Sequence, residues 1–200
     1  MSRVFYATLA LMHWGPREMS IARALTTLTD GAAAPHRVVD VGCGPGWLAR
    51  TATAAGCTYL GVDPVCARPR MVDGGRIEAL DAAAVQSHLE DDDIVVLNGV
   101  AHHLDDETLH ALLQATRGCT ALIICDHRAE PSNHRLNRIL QRFDRGKHIR
   151  PTTFFNALPG YRTHMFEPFD IRPLGIPIWA YFTGVYVPTL ELDAESDKGP

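Results

Sequence analysis

The chain has no C-x-x-C pair, no apolar run long enough to cross a bilayer, no surplus of positive charge and no internal repeat. Each absence removes a class of protein. The five cysteines, Cys43, Cys57, Cys66, Cys119 and Cys125, are odd in number, and three adjoin or enter apolar runs or a glycine turn. That argues against a disulfide framework and for reduced intracellular thiols. The longest N-terminal apolar stretch, Val4 to Met12, is broken by Thr8, and a membrane span needs ~20 such residues. One Arg precedes it and no small-x-small cleavage site follows closely, so a signal peptide is not expected and a cytoplasmic location is. A net charge of -4 gives no general pull toward nucleic acid or an anionic membrane. With no repeat and no low-complexity linker, the composition suits one domain over 1–190 with a polar tail at 191–200. Nothing in it sets an oligomeric state.

What is present is an alternation of strand and helix patterns. Ile21, Leu25 and Leu28 recur at helical spacing in an N-terminal helical segment, 1–35, which Gly31-Ala32-Ala33-Ala34-Pro35 closes. Arg37 to Val41 reads as a strand and Trp47 to Ala55 as a helix, with Gly56 as its C′ residue. Thr58 to Val62 is a second strand ending on Asp63. Between 64 and 75, Pro64, Pro69, Gly74 and Gly75 leave room for at most a short helix. Arg76 to Leu80 is a third strand, followed by a helix from Asp81-Ala82 to about Leu89. Asp93 to Leu97 is a fourth strand and Ala121 to Cys125 a fifth. Between those two, Asp105 to Arg117 is a helix with Leu109, Leu112 and Leu113 on one face. Asn133 to Phe143 then places Leu136, Ile139, Leu140 and Phe143 on one helix face, and Thr152 to Leu158 reads as another short helix. The last strands, Tyr161 to Phe166 and Ile178 to Val187, lack a helical crossover and so pair antiparallel. The pattern predicts an α/β three-layer sandwich, its sheet seven-stranded and mostly parallel with an antiparallel edge hairpin.

In such sheets ligands gather beyond the carboxyl ends of the strands. Gly42 to Gly46, Asp63, Asp81, Asn98, the pair His102-His103 and Asp126 all fall at such ends, which points to one shared site. The glycine turn is its centre. Arg37-Val38-Val39-Asp40-Val41 runs into glycines at 42, 44 and 46, and a helix leaves them. Glycine lets backbone turn sharply and approach a ligand closely, and a helix start offers free N–H groups to an anion. A dinucleotide fingerprint needs G-x-G-x-x-G, but here Trp47 stands where its last glycine belongs.

The order Asp40-x-Gly42-x-Gly44-x-Gly46 instead resembles the first motif of class I S-adenosylmethionine (AdoMet)-dependent methyltransferases. Asn98-Gly99-Val100-Ala101-His102-His103-Leu104-Asp105-Asp106 similarly resembles a segment of that family's small-molecule enzymes, and Asp81-Ala82 its adenine-binding pair. The resemblance implies the Rossmann-like methyltransferase fold, AdoMet as cofactor and a small-molecule acceptor methylated on oxygen, or on nitrogen or carbon. It implies a cofactor surface of Asp40, Gly42, Cys43, Gly44, Gly46, Asp63, Pro64, Asp81, Ala82 and Asn98. In it Asp63 takes the ribose hydroxyls through charge-assisted bonds. His103 or His102 is the candidate base, because an imidazole takes up protons near neutrality. Asp126 would orient it, as the carboxylate of a triad does. An N-cap role for Asp63 or Asp81, and a packing role for the histidines, are the plainer alternatives.

Residues 127–160 read as a lid or substrate-side insertion. Seven basic and three acidic residues lie between Asp126 and Arg150, and Arg135, Arg138, Arg142 and Arg145 form a stripe that suits a solvated face or an anionic acceptor or carrier. The aromatics Phe154, Phe155, Phe166, Phe169, Trp179, Tyr181 and Phe182 are core by default, with some lining an acceptor pocket, which favours an apolar or aromatic acceptor. Adjacent histidines point apart and no cation motif accompanies them, so no metal is expected at His102, His103, Asp126 and His127. The rival readings are an AdoMet-binding protein doing other chemistry or none, an RNA methyltransferase, and a nicotinamide enzyme. The acidic charge and Asn98-Gly99-Val100-Ala101 argue against RNA, and the glycine spacing against nicotinamide.

Overall fold

A computed structural model of the chain describes residues 3–33, 35–66, 68–130, 134–142 and 146–189, with side chains from 15 onward and Leu174 excepted. The expected polar tail, and Asn133, Phe143 and Arg145, lie outside the described residues.

The first helix, α1 (Arg3–Thr29), leads to strand β1 (Arg37–Val41), helix α2 (Leu48–Ala54) and strand β2 (Thr58–Val62). Strands β3 (Arg70–Val72) and β4 (Gly75–Glu78) follow, then β5 (Asp93–Asn98), α3 (Asp106–Ala115) and β6 (Ala121–His127). Helices α4 (Arg135–Arg142) and α5 (Thr152–Phe155) precede the closing strands β7 (Tyr161–Ile171) and β8 (Trp179–Pro188). One sheet runs in the order β3-β4-β2-β1-β5-β6-β8-β7. The neighbours from β4 to β6 are parallel, while β3 and the β8-β7 pair are antiparallel at the two edges.

The sheet has eight strands rather than the expected seven. The addition is β3, in the stretch expected to hold at most a short helix. Asp73-Gly74, with Gly74 at φ 73°, forms the two-residue turn between Val72 and its partner Gly75. That is the Asp-Gly hairpin chemistry, in which glycine takes the positive φ. The segment after Asp81-Ala82 is a 3-10 turn, Ala84–His88, not an α-helix.

Side chains alternate across the sheet with period two. Val39, Val41, Val95, Leu97, Leu122 and Ile124 meet Leu109 and Leu112 of α3 and Phe155 of α5 on one face. Val38, Ile94, Val96, Ile123 and Cys125 meet Ile21 and Leu25 of α1 and Leu48 and Ala52 of α2 on the other. Helices on both faces make the three layers. Each fully buried aliphatic side chain contributes about 1.5–3 kcal/mol, so β1, β5 and β6 form a rigid floor. Polar residues that share a strand face with Val38 and Ile94, Asp40 and Asn98 among them, are thereby brought to the α1 side.

Helix α4 departs from its expected packing. Leu136 and Ile139 are 37% and 49% exposed, while Asn137 is buried and donates through Nδ2 to Ile178 O. Of the apolar face only Leu140 packs inward, against the cluster of Ile171, Trp179 and Tyr181, among the described residues, and Asn137 one turn before it is turned inward by its bond to the β8 approach. No described helix is long and apolar enough to cross a membrane.

Candidate active site

Chain order reverses beside β1: the path goes outward through β2 and β4 and returns to lay β5 on the other flank. A crevice opens at such a switch point, and here the glycine turn occupies it. The N–H groups of Gly42 and Cys43 both donate to Val62 O, at 2.7 and 3.1 Å, folding the turn over the end of β2. Gly44 N–H donates to Asp63 Oδ2 at 2.8 Å, and Val65 N–H to Asp63 Oδ1 at 2.8 Å. Gly44 sits at φ 53°, and a Cβ there would meet nothing within 4 Å. A ligand can therefore reach its backbone.

Asp40 is 2% exposed. Tyr59 OH donates to its Oδ2 at 2.8 Å, and Oδ1 has no partner among the described residues. Burial pushes the carboxyl up to about 7, against the opposing Tyr59 bond and the Arg17 charge. Burial and the charges of Asp40 and Asp63 push the Cys43 thiol up to about 12, so it is no nucleophile at neutral pH.

Across the crevice, Asn98 ends β5 and accepts at Oδ1 from Arg17 Nε (3.0 Å) and Nη2. The turn after it, Ala101–His103, carries both histidines. His102 is buried and its Nδ1 lies 2.6 Å from Asp126 Oδ1. Backbone N–H groups of His102 and His127 donate to Asp126 Oδ2 and Oδ1. Burial opposes charge on Asp126, but His102 and His127 outweigh it and hold the carboxyl below its ordinary range. Facing an ionised Asp126, Nδ1 is the nitrogen of His102 that carries a proton. His103 is exposed, its ring 4.2 Å from that of His102.

A strap from Gly146 to Arg150 holds this turn. His148 N–H donates to His102 O at 3.0 Å, and the buried Arg150 guanidinium donates to Ala101 O, Leu104 O and Asp106 Oδ1. A Cβ on Gly146 would fall 1.8 Å from His102 Cδ2.

One cavity of about 300 Å³ joins the two sides, lined among others by Asp40, Gly42, Cys43, Gly44, Asn98, His102 and His103. Those seven sequence candidates are brought together, with Asp126 directly behind His102. The rest are placed elsewhere. Gly46 packs toward Ile77, the end-on Asp63 ties down Gly44, and the exposed Asp81 accepts from Ala83 and Ala84 N–H in a capping arrangement. Neither Asp63-Pro64 nor Asp81-Ala82 lines the cavity.

Arg17, Gly99, His127 and Tyr181 line it without having been singled out for the cofactor or for catalysis. Arg17 had a signal: it lies four residues before Ile21, an arginine on the buried stripe of an amphipathic helix. Of the seven aromatics expected as core or pocket wall, Tyr181 alone lines this cavity, while Phe155, Phe166 and Phe182 pack in the core. Its lining mixes charged and polar groups with the rings of Trp47 and Tyr181.

His102, Asp126 and His127 present ligand atoms within 4.8 Å of one another, a spacing a metal ion could draw in. Direct ligation by Asp126 would disturb the 2.6 Å bond to His102 Nδ1 and the His127 N–H bond.

Residues 13–158 match the family model described as a methyltransferase domain. The chain belongs to that methyltransferase family. It is an AdoMet-dependent methyltransferase by that membership. Similar solved folds include magnesium protoporphyrin IX methyltransferase from Synechocystis PCC 6803, at TM-score 0.62 and 16% identity over 86% of this chain and 83% of that one. A SAM-dependent methyltransferase from Archaeoglobus fulgidus matches at TM-score 0.59 and 17% identity over 85% and 94%. Human N-acetylserotonin methyltransferase matches at 0.59 and 18% over 84% of this chain but 51% of its own. A search of curated proteins finds no match.

Proposed function

We propose that this methyltransferase moves a methyl group from AdoMet to an oxygen of a small-molecule acceptor in the cytoplasm, with His102 as general base and Asp126 as the group that orients it. One observation carries the reading: the glycine turn and His102, which Asp126 holds from behind, line the same cavity. The chain's residues suit the cofactor. Gly44 leaves backbone accessible, and the unpartnered Oδ1 of Asp40 awaits a cation or a donor. Asp40, Gly42, Cys43 and Gly44 would hold its amino-acid end, with Asp63-Pro64 at the ribose and Asp81-Ala82 at the adenine. When bound, AdoMet supplies an electrophilic methyl on a sulfonium.

The protein's part is then positional and protolytic. Holding two reactants in line removes much of the entropic barrier. His102 takes the acceptor's proton at Nε2, while its Nδ1–H stays on Asp126 and stabilises the imidazolium. The 146–150 strap keeps the imidazole in place, which supports reading 127–160 as the substrate-side insertion.

Calorimetry with AdoMet and S-adenosylhomocysteine, followed by labelled methyl transfer to a panel of acids, phenols and amines, tests this. Binding and transfer to a hydroxyl or carboxyl is expected. Binding without transfer to any class would instead favour an AdoMet-binding protein without methylating activity. Turnover abolished by a chelator and restored by a divalent ion would replace the base with a metal at His102 and His127.

A further inference from the structure

The cavity has two chemical poles, and they follow from the sheet order. Its β1 end carries the glycine turn and the Asp40 carboxyl. Its other end, over β5, β6 and β8, carries Asn98, Arg17, the histidines and Tyr181.

That second end is built of donors. Arg17 occupies Asn98 Oδ1 with two N–H groups, so what Asn98 has left to offer is the N–H pair of Nδ2. The guanidinium lies over the Tyr181 ring at 5.2 Å and, among the described residues, forms no ion pair. Its place is made by Gly99, where a Cβ would fall 2.3 Å from Arg17 Nη2. The carboxylate of this end, Asp126, does not line the cavity, and both of its oxygens already accept N–H groups. A guanidinium, an amide N–H pair and imidazoles thus face the cavity with no carboxylate between them.

We propose that the acceptor is a small acid whose reacting oxygen is a carboxylate or phenolate, and that Arg17 and Asn98 select it by binding that oxyanion. This deepens the reading of the site as a methyl-transfer centre and rests on it. A phenol surrenders its proton to His102 Nε2, and a carboxylate arrives without one. In the transfer the methyl's C–S bond breaks with its electron pair left on sulfur, giving S-adenosylhomocysteine, and an oxygen lone pair forms the new C–O bond. Opposite charges attract more strongly where protein takes the place of water, so an anion is the natural partner of a sulfonium there. Guanidinium and amide donors also distinguish an oxyanion from a neutral isostere, because charge-assisted bonds are about twice as strong as neutral ones.

The test uses the whole chain saturated with S-adenosylhomocysteine, titrated with benzoate and with benzamide and followed by NMR. Benzoate should bind about tenfold more tightly, the equivalent of one charge-assisted bond of ~1.4 kcal/mol. Arg17→Gln should erase the preference, and so should Asn98→Asp, which replaces the donor pair with a like charge. Circular dichroism and melting confirm folding of each, and Arg17→Lys, which keeps the charge but loses the forked grip on Asn98, gives an intermediate preference if the Gln variant does not fold. Benzamide binding as tightly as benzoate, neither compound binding, or a preference that survives these substitutions overturns the inference. If the wild-type chain fails to bind S-adenosylhomocysteine at all, it is the methyltransferase assignment of the site that fails.

Discussion

Adjacent in sequence, His102 and His103 have different physical situations. His102 is buried with Nδ1 on Asp126, whereas His103 is exposed and lies tilted against its neighbour's ring. His102→Ala is therefore expected to lower single-turnover methyl transfer by ~10²–10⁴, the range for a lost general base, with cofactor affinity nearly unchanged. His103→Ala should cost far less. Equal losses in the two variants would move the base elsewhere. Asp63 gives a separate test. It anchors Gly44 N–H and is proposed at the ribose, so Asp63→Ala should weaken S-adenosylhomocysteine binding by about 1.5–3 kcal/mol in calorimetry, as hydrogen bonds to a charged group do. The sequence offered either histidine as the base and could not rank them, because a one-residue difference in a tight turn decides which ring faces Asp126. That turn's shape is set by Gly146 and Arg150, more than forty residues away.

At the scale of elements, the strands most central to the site are also the most firmly registered. Arg37 opens β1 and pairs in a bidentate manner with Asp93 at the start of β5, Nε to Oδ1 at 2.7 Å and Nη2 to Oδ2 at 2.8 Å. Asp93 is fully buried. Replacing Arg37 with Met keeps much of the stem but leaves a buried carboxylate without its cation. Breaking such a pair costs about 3 kcal/mol or more, and urea denaturation should show it; a change under a third of that would mean solvent reaches Asp93. The strap is the other element-level device. Gly146→Ala forces a methyl group onto the His102 ring, and the expected readout is a changed Nδ1–H proton resonance for His102 with the thermal transition little altered. An unchanged resonance would show that the strap yields instead of the imidazole. Elements read from periodicity alone fared unevenly. The β-branched runs of β1, β5 and β6 were legible because both faces of a parallel sheet are buried. Strand β3 was not read, though Asp73-Gly74 marked its turn, because three residues, two of them exposed, are too few to show a period. In α4 the apolar spacing was real, but among the described residues only Leu140 of that face packs inward, beside Asn137 with its bond to Ile178 O.

For the whole molecule, the buried Asp40 couples folding to pH. Its folded-state pKa of about 7 lies above the ordinary aspartate range, so between those values the folded chain holds a proton that the unfolded chain has lost. Stability from this group is therefore fully present in acid below the unfolded value and is lost as pH rises through about 7. Denaturant titrations from pH 4 to 8 should show this fall, on the order of a few kcal/mol, and Asp40→Asn should flatten it while still accepting the Tyr59 hydroxyl. A variant curve parallel to that of the wild type would place the proton on another group. The same carboxyl pays back its burial when a cation enters the cavity, so binding of AdoMet should stabilise the fold by mass action and more strongly at pH 8 than at pH 5.

The sequence by itself determined the alternation of strands and helices, the place of the glycine turn and the carboxyl-end clustering of polar residues, because these depend on period, turn chemistry and strand ends, all local properties. Only the tertiary structure decided that an N-terminal arginine reaches the end of β5, that His102 and not His103 meets Asp126, and that Arg17 and Tyr181 share one cavity with the glycine turn. Those outcomes depend on which distant segment packs over which strand end, and that packing is a property of the assembled layers which no window of the chain contains.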